Sequence, residues 1–260
     1  SGRTLVSSPL IATVLLGASA INELGSEAQK SEFLPQVVSG ELLLALAIDE
    51  KPHHRPCRIE TSAVKSGEGY VLNGCKTFVL DGHIANKLVV VARTAGAIDD
   101  EAGLSVFLVD AAAEGVSINR SWMVDSRNSA MLSLNDVKVG ADALLGAEGD
   151  AYSTLTRVLD IGRIGVAAEM LGSMQQAFEI TLDYLKQREQ FGVLIGSFQG
   201  LQHRAAEMYS EIELCKSAVR AALAALDDAD KTDADIWQSC EARACPYSRS
   251  GTDAWRHWHD

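Results

Sequence analysis

The 260-residue chain has five cysteines, an odd number, and none of them falls in a CxxC or CxxH spacing. Cys57, Cys75, Cys215, Cys240 and Cys245 therefore offer neither a disulfide frame nor a metal motif, and read as reduced thiols of a cytoplasmic protein. Positive charge is also scarce: 23 Lys and Arg stand against 35 Asp and Glu, for a formal net charge of −12. Phosphate backbones and anionic bilayers require a basic surface, so neither nucleic acid nor a membrane is expected as a partner. No apolar run is long enough to span a bilayer. The run from Leu10 to Leu16 lacks the basic leader of a signal peptide and reads as a buried helix. Internal repeats and low-complexity segments are missing too. What remains, 47% hydrophobic and 22% charged, can bury a large core and fill two domains.

The order along the chain is helical, then β, then helical. Small and apolar residues dominate from Leu5 to Leu24, and Ser26 is placed to cap a short second helix running to Pro35. Leu42 to Ile48 opens a region rich in β-branched residues and turn pairs. Gly67 to Gly69, and Asn73 with Gly74, are hairpin signals on either side of Tyr70 to Leu72. Leu88 to Ala92, Leu104 to Val109 and Met131 to Val139 are further expected strands, and Asp99 to Glu101 is an expected solvated loop. Adjacent His53 and His54 would point to opposite faces of an extended segment, which makes them a poor chelating pair, and no metal site is expected.

Beyond this, Leu155, Val158, Leu159, Val166 and Met170 fall at helical intervals, and Ala177, Ile180 and Tyr184 extend the stripe towards Arg188. Gly192, Gly196 and Gly200 interrupt it before Leu201, Ala205, Met208, Ile212, Cys215 and Val219 restart it. The spacing predicts a helical hairpin.

No packing argument demands the strings LDIGRIGVAAEMLG and REQFGVLIGSFQGLQ that this hairpin carries. They resemble the C-terminal helical domain of acyl-CoA dehydrogenases. The resemblance implies an α+β multidomain fold: an N-terminal helical remnant (1–41), a middle β-barrel domain (42–146) and an incomplete C-terminal helical bundle (147–242), followed by an irregular tail (243–260). It implies FAD as cofactor, an acyl-CoA substrate, an electron-transferring flavoprotein as acceptor, and a homodimer or homotetramer. Asp160 and Arg163 of the LDxGR string would lie along the acyl-CoA. Arg188 and Gln199 would contact the FAD of a neighbouring subunit, where a guanidinium suits a pyrophosphate. Alone, Arg188 beside Glu189 reads equally as a solvated helix-end cation, and Asp160 with Arg163 as a surface ion pair. Phe191 is open between a packing role and a ring touching the cofactor.

The stretch YVLNGCKTFVLDGHIANKLVVVART resembles the hairpin on which the family places a Trp and a hydroxyl residue against the flavin. Phe78 stands at the Trp position and Leu80 at the hydroxyl position, so an aromatic face is kept while a side-chain donor is lost. ALAIDEKPHHRP replaces a family Thr-Glu-Pro and Gly-Ser run, and no substrate contact is carried over there. FVLDGH and GLSVFLVDAAAEGV are similar to a subgroup of small subunits acting on dicarboxylic acyl-CoA.

The dehydrogenation which this resemblance implies takes an α-proton with a Glu while the β-hydrogen leaves as hydride to the flavin. Neither family position for that Glu is filled. One is Gly162, and the other would lie beyond Asp260. No catalytic residue is therefore assigned. The tail CPYSRSGTDAWRHWHD has no apolar period and reads either as an exposed tail or as a frameshift. Asp253 to Asp260 can be encoded GAT GCA TGG CGG CAT TGG CAT GAC, which from its second base reads MHGGIGM, the family's Gly-rich FAD turn. Trp255 and Trp258 become Gly in that frame whatever the neighbouring codons. The expectation is an acyl-CoA dehydrogenase incomplete at both ends and inactive alone. The alternatives are a noncatalytic subunit of a heteromeric dehydrogenase, a flavin oxidase or monooxygenase of the same fold, and a helical interaction module built on Phe198 to Ala225.

Overall fold

The computed structural model describes residues 1–124 and 127–227. The expected tail at 243–260, with its out-of-frame Gly-rich turn, and the end of the helical domain at 228–242 lie outside the described residues. Two compact units divide the chain, Ser7–Gly162 and Ser1–Val6 with Arg163–Asp260. The boundary falls inside one long helix.

The first unit is built on an eight-stranded sheet: β1 (Leu44–Ala47), β2 (Ser62–Ser66), β3 (Gly69–Leu80), β4 (Lys87–Arg93), β5 (Leu104–Asp110), β6 (Val116–Trp122), β7 (Asn128–Gly140) and β8 (Leu144–Leu145). The ladder runs β6-β7-β3-β2-β4-β5-β8 with β1 parallel to β4, so the barrel's hydrogen bonding stays open between β6 and β8. Alternation sends Leu88, Val90 and Ala92 of β4, with Phe107 of β5 and Leu132 of β7, into an inner core. Val89 and Val91, with Val106 and Leu108 of β5, face the other way, into a second core with Ala20, Ile21, Leu155 and Val158. Burial on both faces explains why these strands read as continuous apolar runs.

A π-helical segment (Leu10–Ala18) continues into α1 (Ser19–Leu24), and small residues let it approach β1 closely. A Cβ on Gly17 would lie 2.4 Å from Leu44 Cβ, and the buried Thr13 hydroxyl donates to the Leu44 carbonyl at 3.0 Å. Helix α2 (Glu27–Ser39) opens with the expected Ser26 cap, completed as a capping box by Gln29. It does not stop at Pro35 as expected. Pro35 lies inside it, and the helix ends at the left-handed Gly40, whose N–H donates to Val37.

The Gly67 signal is a hairpin turn, with Ser66 paired to Gly69. The Asn73–Gly74 signal is not. There β3 continues through a bulge, with Asn73 opposite both Asn135 and Asp136 of β7. The Asn73 carboxamide holds Asp136 by accepting from its N–H at 2.8 Å and donating to its carboxylate at 3.0 Å. Gly74 is required because a Cβ would reach Thr61 Oγ1 at 2.5 Å. Strand β6 carried no legible signal. Asp99 to Glu101 is exposed, as expected.

The second unit contains the rest of the long helix α3 (Tyr152–Leu185), a two-stranded hairpin of β9 (Glu189–Gln190) and β10 (Val193–Leu194), and α4 (Gln199–Asp227). This is the expected helical hairpin. Ile164 packs with Ala222 and Ala225. Within the unit, the Ser173 hydroxyl donates to the Gly2 carbonyl at 2.8 Å, and Arg3 reaches Gln176 and Glu179. Among the described residues no helix is long and apolar enough to cross a membrane.

Candidate functional site

In the sheet unit the site positions are set by a second irregularity of β3. Lys76 pairs with Leu132 and Val79 with Ala130, so three steps on β3 match two on β7. The extra residue is absorbed at Phe78, whose φ of +54° is left-handed. A bulge turns a side chain out of the ordinary alternation, and Phe78 is 57% exposed between buried Lys76 and Val79. Leu80 is half-buried opposite Ser129. Its side chain has no donor, so any hydrogen bond there comes from backbone groups.

Asp160 lies on the buried face of α3 with Leu155, Val158 and Leu159 and is 2% exposed, which removes the reading of a solvated surface pair for it. Arg163 is half-buried in the other unit. At Gly162 a Cβ would stand 2.6 Å from Leu16 Cδ2, the far end of a side chain that can turn aside for a methyl group. A carboxylate at this position would have to displace Leu16.

In the helical unit, Arg188, Phe191 and Gln199 surround the small hairpin. Phe191 and Gly192 form its two-residue loop, with φ of +55° and +79°. An aromatic residue in the left-handed region is strained, and Phe191 is 93% exposed, so it is not a core residue. It meets Phe198 edge-on at 6.3 Å between centroids. The Arg188 carbonyl accepts from Ile195 at 2.8 Å, which fixes its backbone, while its side chain is exposed. Gln199 starts α4, also exposed. Phe78 and Leu80 thus belong to one unit, and Arg188, Phe191 and Gln199 to the other.

The sequence reading missed a buried charged cluster beside Phe78. The Lys76 ammonium, 0% exposed, lies 2.7 Å from Glu50 Oε1 and 3.1 Å from the Ile48 carbonyl. Glu50 also accepts from the Glu60 N–H (2.6 Å), the Thr61 N–H (2.9 Å) and the Thr61 hydroxyl (2.6 Å). Burial pushes Lys76 down to about 8, only partly offset by Glu50. Burial also acts to raise Glu50, but Lys76, Thr61 and Glu60 outweigh it and hold the carboxyl below its ordinary value. A signal did exist: 72, 74 and 76 are in phase on β3, so a lysine stood on the inward side of a strand.

Nearby, His54 Nδ1 lies 2.8 Å from the Asp49 carboxylate. Among the described residues no cluster of His, Cys, Asp or Glu could hold a metal. A surface groove of about 760 Å³, lined by Ser66, Glu68, Tyr70, Lys138 and Asp142 among others, lies around the β2–β3 turn at the other end of β3 and includes none of the site positions.

Residues 55–137 match the family model of the acyl-CoA dehydrogenase middle domain, and residues 151–245 that of the acyl-CoA dehydrogenase C-terminal domain. The chain belongs to the acyl-CoA dehydrogenase family. It is 34% identical to mitochondrial isovaleryl-CoA dehydrogenase of Pongo abelii, over 83% of this chain and 53% of that protein. It is 32% identical to the caffeyl-CoA reductase-Etf complex subunit CarC of Acetobacterium woodii, over 78% and 55%. Butyryl-CoA dehydrogenase from Megasphaera elsdenii superposes with a TM-score of 0.85 at 31% identity, covering 94% of this chain and 65% of that one. The chain spans about half the length of the curated relatives it matches. Family membership agrees with the architecture of a mixed sheet followed by a helical hairpin.

Proposed function

We propose that this acyl-CoA dehydrogenase family member binds FAD and serves the α,β-dehydrogenation of an acyl-CoA thioester. The observation that carries the reading is Phe78, a ring turned out of the sheet by a bulge at the position where the family covers its flavin. The donor set fits the group: Phe78 offers an aromatic face, and Arg188 with Gln199 offers a charged fork and an amide for a pyrophosphate. When bound, FAD would take up the hydride. The chain's own part is to hold the ring system against Phe78, to meet the phosphates with Arg188 of a neighbouring subunit, and to contact the acyl-CoA through Asp160 and Arg163.

Self-association is part of the proposal, because Arg188 and Gln199 serve a second subunit's cofactor. Met170, Ile180 and Tyr184 are exposed along α3 and would be covered in a homodimer or homotetramer. An electron-transferring flavoprotein is the proposed acceptor, in keeping with a relative named as subunit of an Etf complex. Titrating the protein with FAD at high protein concentration tests the reading. A bound-flavin absorption band is expected, weakened roughly tenfold in affinity by Arg188→Ala, about the loss of one charge-assisted contact. Absence of any band overturns it.

A second reading, the noncatalytic subunit, is favoured by Gly162. One of the family's two positions for the α-proton base carries no carboxylate, and Leu16 fills the space. We therefore propose that position 162 supplies no base for the α-proton. Mixing FAD-loaded protein with acyl-CoA under anaerobic conditions should leave the flavin colour unchanged, and rapid bleaching would remove this reading.

A further inference from the structure

We propose that the buried Lys76–Glu50 pair is a positioning device for Phe78, fixing the bulge from which the ring is presented to the flavin. The inference rests on the FAD reading above for its function, but its geometry is independent of it.

A buried ion pair is weak support for stability, since desolvating both charges costs as much as their attraction returns. Its location is more telling. β3 loses register with β7 twice, between Leu72 and Gly74 and again between Lys76 and Val79. On its other edge, the ladder with β2 ends at Asn73, paired to Ser62. Thr77 and Phe78 therefore have no strand partner in either ladder, and a bulged strand can otherwise relax by a one-residue slip that reverses side-chain facing.

What holds them is the segment after β1. The Lys76 ammonium binds the Ile48 carbonyl and the Glu50 carboxylate, and between these the Thr77 N–H donates to the Asp49 carbonyl at 2.7 Å. Two successive residues of β3 are thus tied to three successive residues, 48 to 50. Glu50 is anchored in turn by the Glu60 and Thr61 N–H groups and the Thr61 hydroxyl. Thr61 sits against Gly74, where a Cβ would reach its Cα at 2.7 Å. The chain passing through 48–50, 60–61 and 74–77 closes on itself one residue before Phe78. The contacts of Lys76 and Glu50 are to Ile48, Glu60, Thr61 and each other, so the pair acts through the stance of that ring.

Fluorine NMR of the full chain labelled with 4-fluorophenylalanine tests this, because six Phe give six resonances and Phe78→Tyr assigns the one of interest. Phe107, packed edge-on against Tyr70 in the core at 4.9 Å between centroids, reports whether the fold is intact. In Lys76→Met the Phe78 line should shift or broaden while the Phe107 line stays. FAD affinity should fall about tenfold, as in Phe78→Ala, and the double variant should lose no more than either single one. An unmoved Phe78 line in folded Lys76→Met overturns the proposal whatever FAD does. If FAD binds neither wild type nor variant and the Phe78 line still moves, the cofactor reading fails while the coupling of the pair to the ring stands. Should Lys76→Met also lose the Phe107 line, Thr61→Val removes a single hydrogen bond to Glu50. That variant must disturb the Phe78 line alone, and no change there also overturns the proposal.

Discussion

Replacing Arg93 with methionine, which keeps most of the aliphatic stem and removes the guanidinium, should unfold the sheet unit more readily than any surface substitution. Arg93 ends β4, is buried, and donates only to backbone carbonyls. Nε reaches Ile59 at 3.1 Å, Nη1 reaches Ala102 at 2.9 Å and Ala95 at 3.3 Å, and Nη2 reaches Cys57, Ile98 and Asp100 at 2.8–2.9 Å. Five N–H groups serve six acceptors, so at least one bond is shared. Summing charge-assisted bonds singly would overshoot, because the carbonyls of the exposed loop at 95–102 regain water once the arginine is gone. The Ile59 carbonyl belongs to a fully buried residue, and leaving it unmet costs about 1–3 kcal/mol. Two or three remaining bonds at about 1 kcal/mol each bring the expected loss to about 3–6 kcal/mol. With a urea m-value of about 2–3 kcal/mol/M, the midpoint should fall by roughly 1–3 M. Hydrogen exchange should localise the damage, since the amides of Ile59, Thr94 and Ala95 bond across the loops that Arg93 gathers. A loss under about 1 kcal/mol, or faster exchange spread evenly over the unit, refutes the argument that one guanidinium organises these loops.

Gly17→Ala should destabilise the first unit by about 1–3 kcal/mol, because the new methyl meets Leu44 Cβ, which cannot rotate aside. Gly162→Ala should shift stability by less than about 1 kcal/mol, since it meets only the end of the Leu16 side chain; thermal melts of the two compare them directly. Glu50 is held below its ordinary carboxyl value when folded, so its stabilisation is present above the unfolded value and lost as pH falls through the folded one. Wild-type stability should decline below about pH 4.3 more steeply than that of Glu50→Gln, and parallel curves would contradict it. Lys76 acts in the same sense at higher pH: with a folded value of about 8 against 10.5, the unfolded chain binds more protons between them, and this group makes stability rise with pH across that window. Urea titrations at pH 8 and pH 10 of wild type and Lys76→Met isolate the difference.

Local pattern decided much of this protein. The helical interval from Leu155 onward, the glycine breaks before Leu201, the Ser26 cap and the runs at 88–92 and 104–109 each carry their element in neighbouring residues, because capping, periodicity and turn geometry are short-range. The strings around Asp160, Arg163, Arg188 and Gln199 named the family by the same adjacency. Tertiary structure decided what depends on residues distant in sequence. Asn73–Gly74 carries the local signal of a turn, yet Asp136 across the sheet and Thr61 behind it make the pair a bulge. Pro35 carries a stop signal that α2 overrides, since packing and the Gly40 cap set its end. Gly162 is read from sequence as an absent base, and only Leu16, 146 positions away, shows the space already filled. Lys76 finds Glu50 and Ile48 across a gap of more than twenty residues, and that closure sets Phe78. The sequence by itself determined which residues stand at positions 78 and 80. Their direction, and what holds it, came from contacts that exist only once the strands have paired.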